Sequence, residues 1–159
     1  MSWCSRPSRA ALLALVAAAS PAAGRAQGVR ETQVHLLGIA SRPLFGGAGA
    51  AIAWRDASRT RWQVAATLGG LDGHGLAARA DVAYHFLLDP AKRRGNAVYG
   101  GAGLSALAAH GRLTPYVLIV LGVENAPGGS GGSFVEIGVG GGVRAAAGYR
   151  WRKRNAPGH

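Results

Sequence analysis

The side chains best suited to catalysis in this sequence are its serines and histidines. Hydrolysis by a nucleophilic serine needs a histidine that takes the proton and an acid that orients the histidine. Ser105 and His110 lie near the same predicted turn, but no Asp or Glu lies close to either of them along the chain. Because a triad is defined by geometry and not by spacing, the sequence leaves catalysis open but gives it no support. We therefore expect a protein that is not an enzyme.

Signatures of metal and phosphate binding are also missing. Metal-ligand spacing is not found among the histidines His35, His74, His85 and His110. The glycine-rich runs at 46–49 and 100–103 precede neither a helix pattern nor a Gly-Lys-Ser/Thr motif, so they indicate close packing in a sheet. We expect no cofactor. Lys92-Arg93-Arg94 is interpreted as a solvated turn, with anion binding as the alternative.

The composition favours a membrane partner over nucleic acid. The chain has 159 residues, a formal net charge of +11 and only 16% charged residues, while hydrophobic residues reach 48%. This is too apolar for a disordered chain. The arginines are scattered among Gly and Ala without a basic helix or an RNA-binding motif, so we expect no nucleic-acid partner. Anionic lipid head groups fit the charge better.

The first 26 residues have the pattern of a cleavable signal peptide. Arg6 and Arg9 form a positive segment, residues 10–19 are an uninterrupted apolar run, and small residues at 24 and 26 precede a cleavage point before Gln27. The apolar run is half of the roughly 20 residues that a spanning helix needs. The single cysteine, Cys4, precedes this run, so we expect a mature chain without disulfides.

After residue 27 the dominant pattern is an alternation with period two, which is typical of β-strands. The clearest example is the segment 61–69, where Trp62, Val64, Ala66 and Leu68 share one face. Turn-type residues interrupt the alternation at 56–58, 71–75, 89–95, 110–111, 127–132 and 140–142. The segments between them predict eight strands, at about 31–40, 44–55, 61–69, 75–86, 97–107, 113–124, 134–143 and 145–151.

Strands of this length suit a transmembrane barrel, in which the sheet must close because lipid cannot satisfy backbone polar groups. The predicted fold is thus an all-β, closed, antiparallel up-and-down barrel. We assign residues 27–151 to it and residues 152–159 to a basic C-terminal tail. An eight-stranded barrel has room inside for side chains only. The predicted polar cluster of the lumen is Arg61, Gln63, Arg79, Asp81, His85, Glu136, Arg144 and Arg150.

The larger aromatic residues fall near one end of this predicted barrel. With the N-terminus in the periplasm, that end is the periplasmic one, where a girdle at head-group level is expected. The predicted girdle consists of Trp54, Trp62, Tyr84, Phe86, Tyr149 and Trp151.

The C-terminal segment Val143-Arg144-Ala145-Ala146-Ala147-Gly148-Tyr149-Arg150-Trp151 resembles the closing strand of small bacterial outer-membrane β-barrel proteins. Tyr149 and Trp151 match the two aromatic positions of that signal, although a tail follows Trp151 here. The resemblance implies outer-membrane localisation, lipid contact and recognition of the last strand by the barrel-assembly machinery. Lipid A deacylases of similar size carry a His and a Ser two residues apart. Here the residues at that spacing are Leu37, Leu87 and Arg112.

We therefore expect a non-enzymatic, monomeric outer-membrane barrel with a structural, surface-interaction or narrow-pore role. One alternative is an outer-leaflet lipid-modifying enzyme, which requires Ser, His and a carboxylate on the lipid-facing wall. The other is a soluble periplasmic barrel that binds an apolar ligand, which requires Val, Leu and Trp inside and the charges in solvent. The alternation alone defines two faces without saying which one is inside.

Overall fold

The computed structural model describes residues 29–55 and 59–154, and these form eight strands. The strands are β1 (Val29–Ala40), β2 (Phe45–Arg55), β3 (Thr60–Leu71), β4 (Gly75–Leu87), β5 (Asn96–Ala109), β6 (Arg112–Asn125), β7 (Gly131–Val139) and β8 (Val143–Arg154). The predicted signal peptide at 1–26, the break at 56–58 and the last five residues of the predicted tail lie outside the described residues.

The eight strands form one closed barrel in sequence order. Each strand pairs antiparallel with the next, and β1 pairs with β8 from Val29↔Arg154 to Ala40↔Val143. Closure leaves no strand with an open edge, so every strand has a hydrogen-bonded neighbour on both sides. The predicted closed up-and-down barrel is confirmed. None of the described residues belongs to a helix long and apolar enough to cross a membrane.

The two ends of the barrel are named here after the first and last residues of β1. At the Ala40 end the connections are 41–44, 72–74, 110–111 and 140–142, and at the Val29 end they are 56–59, 88–95 and 126–130. Several turns need a left-handed backbone, which glycine adopts at least cost: φ is +67° at Gly73 and +76° at Gly141. The turn at 140–142 separates β7 from β8, as the sequence predicts.

Two predicted boundaries near the C-terminus are corrected by the structure. Val143 begins β8 and is not the end of β7. β8 then continues past Trp151 to Arg154, because Val29, Arg30 and Glu31 of β1 supply backbone partners for residues 152–154. The barrel therefore ends at 154, and Arg152 belongs to the lumen instead of a tail.

The barrel has an apolar outside and a polar inside. Large apolar side chains are exposed on the outer face of the strands, and they include Val34, Leu36, Leu68, Leu104, Val117, Ile119, Leu121, Val135, Ile137 and Val139. Their neighbours along each strand point inward and are buried, so the burial pattern alternates with period two in β1, β3, β4 and β7. This distribution is opposite to that of a soluble barrel, so the expectation of charges in solvent around an apolar interior is contradicted.

The interior has two layers. Towards the Ala40 end it is filled by an apolar cluster of Leu37, Ile39, Phe45, Leu71, Ala77 and Ala146, against which Leu107 and Ala109 pack. From there to the Val29 end the interior is occupied mainly by charged and polar side chains. This apolar cluster, called the plug below, occupies part of the Ala40 end, where Arg79 of the charged interior also reaches the turn residue Gly140.

Candidate functional site

The structure places all eight members of the predicted polar cluster inside the barrel. None of Arg61, Gln63, Arg79, Asp81, His85, Glu136, Arg144 and Arg150 is more than 6% exposed. Each occupies an inward position of its strand, because successive side chains of a strand point to opposite faces. They do not form one group, however: seven of them belong to two clusters, while the buried side-chain oxygen of Gln63 has no hydrogen-bond partner among the described residues.

The first cluster, near the Val29 end, is built around two buried carboxylates, Glu31 of β1 and Glu124 of β6. Four guanidinium groups surround Glu124. Arg55 lies 2.9 Å away, Arg61 2.9 Å and Arg152 3.2 Å, and Arg150 is also in contact. One carboxylate therefore joins residues of three other strands, β2, β3 and the C-terminal part of β8. We call this set the Glu124 cluster.

Glu31 contacts the same four arginines from the other side. Its carboxylate oxygens lie 3.2 Å from Arg55, 3.4 Å from Arg61, 3.5 Å from Arg150 and 3.3 Å from Arg152. Arg150 also donates to the side-chain oxygen of Gln33 at 2.9 Å. The Glu124 cluster thus has two negative and four positive side chains. Stable burial of charge requires such pairing, since an isolated buried ion is very costly.

The second cluster is built around Asp81 of β4, closer to the plug. Asp81 accepts hydrogen bonds from Arg79 at 3.2 Å, from Arg144 at 3.1 Å and from the hydroxyl of Ser105. Arg144 also lies 3.8 Å from Glu136. Arg79 donates in addition to the backbone oxygen of Gly140 in the last turn. With two carboxylates and two guanidinium groups, this Asp81 cluster is balanced in charge.

Aromatic and imidazole side chains connect the two clusters. The hydroxyl of Tyr99 donates to Glu136 at 2.8 Å, while the Arg61 guanidinium lies 4.5 Å from the centre of the Tyr99 ring. Arg61 also donates through Nε to Nδ1 of His85 at 3.3 Å. Tyr99 is therefore hydrogen-bonded to one cluster and packed against a cation of the other, a geometry in which a ring face stabilises the cation.

Several residues of the site were missed by the sequence analysis. The omitted inward residues are Glu31, Gln33, His35, Arg55, Thr67, Tyr99, Ser105, Glu124 and Arg152. In β1 the outward Arg30 and Thr32 are polar too, which hides the alternation. In β6 the inward Leu118 and Val120 made that face look apolar, although Glu124 has the same parity. Arg152 was missed because the last strand was predicted to end at Trp151.

Catalytic geometry is not found among the described residues. The Ser105 hydroxyl is buried inside the barrel and engaged by Asp81, whereas His110 is exposed in the turn after β5. The structure therefore does not bring these two candidates together. The imidazoles inside the barrel have other partners, since His35 shares a hydrogen bond of 2.9 Å with Thr67 and His85 faces Arg61. Within 29–55 and 59–154, no three His, Cys, Asp or Glu residues are placed to hold a metal.

The six aromatic residues of the predicted girdle lie on the outer face near the Val29 end. Trp54 pairs with Trp62, and Trp62 pairs with Tyr84, along one row of the sheet. The ring centres of Trp62 and Tyr84 are 4.7 Å apart, and those of Tyr84 and Phe86 are 4.9 Å apart.

On β8, the ring centres of Tyr149 and Trp151 are 5.0 Å apart. The girdle therefore consists of two aromatic groups, one on β2–β4 and one on β8. The outward face of β1 separates them.

The solved structure of Neisserial surface protein A, an eight-stranded outer-membrane barrel, has a similar fold. The two chains are 13% identical with a TM-score of 0.55, and the match covers 81% of this chain and 99% of the other. No family model and no curated protein matches the chain. At this identity the likeness concerns the fold, and it confirms that this chain is built like a small outer-membrane barrel.

Proposed function

We propose that this protein is an integral outer-membrane barrel whose outer face lies in lipid and whose interior is filled by ion pairs. The observation that carries the proposal is the polarity of the wall. Leu36, Leu68 and Val117 are each at least two-thirds exposed, while Arg61 and Arg150 are fully buried. In water this arrangement exposes a large apolar surface at a high cost, whereas in a bilayer it removes that surface from water.

The aromatic girdle and the position of the termini support one orientation. β1 begins and β8 ends at the Val29 end, next to the girdle. We place this end at the periplasmic surface, because the signal peptide that we expect at 1–26 delivers the chain there, and the start of β1 and the end of β8 lie on that side. The connections at the opposite, outer surface are then only two to four residues long.

We propose a structural or surface-interaction role and not a pore. A conducting lumen needs a continuous wet path, but here Leu37, Ile39, Phe45 and Leu71 pack together across the interior. The ion pairs of the Asp81 and Glu124 clusters occupy the interior beside and below this plug. The cavity beside the plug, lined in part by Arg79 and Tyr116, measures only about 100 Å³.

We also propose that the protein is not an enzyme. A lipid-modifying enzyme needs its nucleophile on the wall that faces lipid, while the Ser105 hydroxyl points into the barrel. The barrel-assembly machinery remains the expected partner. In our proposal it reads the aromatic signal of Tyr149 and Trp151 on β8. We propose a monomer, because closure leaves no strand edge through which a second copy could pair.

The test is fractionation after expression in a Gram-negative host, followed by electrophoresis with and without heating. We expect recovery in the outer membrane and a faster-migrating unheated form. Purified protein in a planar bilayer should show no conductance steps. Recovery in the soluble periplasmic fraction would contradict the membrane location, and regular conductance steps would contradict the closed lumen.

A further inference from the structure

We propose that Arg30 and Lys153 form a binding site for the phosphate of an anionic phospholipid head group, on the outer face of the seam between β1 and β8. The inference rests on the proposed membrane location, because a lipid reaches this face only if the barrel is in a bilayer. It goes further in naming the lipid class and the residues that hold it.

Backbone pairing places the two cations directly opposite each other. Arg30 on β1 and Lys153 on β8 are register partners, and both side chains are exposed on the outer face. Directly opposed residues of an antiparallel pair have Cβ atoms roughly 5 Å apart, where like charges repel each other. An anion between two adjacent cations on a wall that faces lipid would relieve this repulsion.

The protein does not supply that anion within the described residues. All the ion pairs there involve buried carboxylates of the lumen, Glu31, Asp81, Glu124 and Glu136, and none includes Arg30 or Lys153. The exposed acids of the described part are Asp72 and Asp89, in the connections after β3 and β4. Neither of them lies on β1 or β8.

Aromatic side chains flank the cation pair on both sides. Arg30 is the register partner of Trp54 on β2, and Trp151 precedes Lys153 by two residues on the same face of β8. Trp and Tyr mark the head-group level of a bilayer. The pair therefore lies at the depth of lipid phosphates, with Arg30 in the gap between the two aromatic groups and Lys153 beyond Trp151 on β8.

The charge distribution between the barrel ends favours the same ligand. At the Val29 end the exposed cations of the described residues are Arg30, Arg59, Lys92, Arg93, Arg94 and Lys153, and the one exposed acid described there is Asp89. At the Ala40 end they are Arg42 and Arg112, against Asp72. A surface with this excess of cations attracts anionic lipids. A phospholipid with this phosphodiester also carries acyl chains, for which the neighbouring Trp54 and Trp151 offer an apolar surface.

The experiment measures lipid selectivity through tryptophan fluorescence. In a Trp3→Phe background the remaining tryptophans are Trp54, Trp62 and Trp151, and all three lie in the girdle. Full-length protein is reconstituted into vesicles that contain brominated phosphatidylglycerol or, at the same mole fraction, brominated phosphatidylcholine. We expect stronger quenching by the brominated phosphatidylglycerol. Its relative binding constant should fall about fivefold for each cation removed in R30Q, K153Q and the double variant.

A matched control separates this site from general attraction to the surface. The K92Q/R94Q variant removes two exposed cations from the same end, but from the β4–β5 connection. We expect it to retain the preference. An equal loss in K92Q/R94Q and R30Q/K153Q would overturn the proposal, since the attraction would then be diffuse. Inorganic phosphate should reduce the preference no more than chloride does at the same ionic strength. A specific loss in phosphate would identify a site for the free ion instead.

The phosphatidylcholine arm tests the underlying membrane location separately. Quenching by brominated phosphatidylcholine requires only that the girdle be in contact with lipid. If neither brominated lipid quenches, the proposed membrane location fails. If both quench the parent protein equally, the barrel is in the membrane and the phosphate site alone is rejected.

Discussion

The hydroxyl of Tyr99 donates a hydrogen bond of 2.8 Å to the carboxylate of Glu136, and this bond connects the two halves of the charged interior. The same ring packs under the guanidinium of Arg61, which belongs to the Glu124 cluster. The charged layer is thus continuous from Asp81 to Glu31, although the ion pairs alone fall into two groups. We expect this continuity to stabilise the folded barrel.

The Y99F variant should destabilise the folded barrel by about 2 kcal/mol. A hydrogen bond to a charged group contributes roughly 1.5–3 kcal/mol, and its loss leaves Glu136 with Arg144 at 3.8 Å as its remaining ion-pair partner. Urea unfolding of protein in lipid vesicles measures the change. The control is Y149F, which removes the hydroxyl of an outward tyrosine. Equal effects of Y99F and Y149F would show that the interior bond contributes nothing.

The E124Q variant should be the most destabilising single substitution in the interior, by about 3–5 kcal/mol, since removing one partner of a buried ion pair leaves uncompensated charge. Four arginines would then have Glu31 as their one remaining carboxylate partner in the cluster. The matched substitution is E136Q, where one guanidinium lies 3.8 Å away. We expect a clearly smaller loss there, measured as the shift in the temperature at which the fast-migrating band disappears. A larger effect of E136Q would contradict the assignment of Glu124 as the centre.

Gly49 lies where the interior leaves no room for a side chain. A Cβ atom at this position would be 2.8 Å from Nε2 of His35 and 2.8 Å from Oγ1 of Thr67, which share a hydrogen bond. We expect G49A to cost about 1–3 kcal/mol through overpacking, in the same urea assay. Gly46 on the same strand has nothing within 4 Å of a Cβ, so G46A should change stability little. Similar costs at both positions would contradict the steric explanation.

A comparison of two equally exposed leucines tests the location of the barrel in lipid. Leu36 is 68% exposed in the middle of β1, and Leu88 is 64% exposed in the β4–β5 connection. In a bilayer L36R should cost about 2–4 kcal/mol, whereas L88R, outside the strands, should cost little. Unfolding in vesicles gives both values. A soluble barrel would tolerate both substitutions alike, so equal small costs would argue against the membrane.

The fold was largely predictable because every strand of a barrel wall repeats the same alternation of inward and outward side chains. Segments such as 61–69 alternate cleanly, and turn residues such as Gly73 and Gly141 mark the reversals. The direction of the faces was predictable as well, since Arg79 and Asp81 are too costly to place in lipid. Local pattern was enough for these features because each strand obeys the rule independently of its neighbours.

The composition of the interior was less predictable because it depends on pairing across the barrel. Glu31 and Glu124 are distant in sequence, and nothing near Glu124 indicates that it meets four arginines. The inward face of β6 is mostly apolar, as Leu118 and Val120 show, so Glu124 looked like an exception. Arg152 was placed in a tail since the aromatic Trp151 resembles a chain end, whereas pairing with β1 extends the strand.

The arginines of β8 have a consequence for how the last strand finds its place. β1 to β7 point Glu31, Asp81, Glu124 and Glu136 into the lumen with three guanidinium groups, those of Arg55, Arg61 and Arg79. β8 contributes three more, Arg144, Arg150 and Arg152. Without β8, these inward side chains carry one more negative than positive charge, and β8 adds three positive charges. A slip of two residues would keep every side chain on its proper face but move each guanidinium by about 7 Å. At the observed alignment Arg144 lies 3.1 Å from Asp81, and Arg150 and Arg152 lie 3.5 Å and 3.3 Å from Glu31, so a slipped β8 would lose these ion pairs.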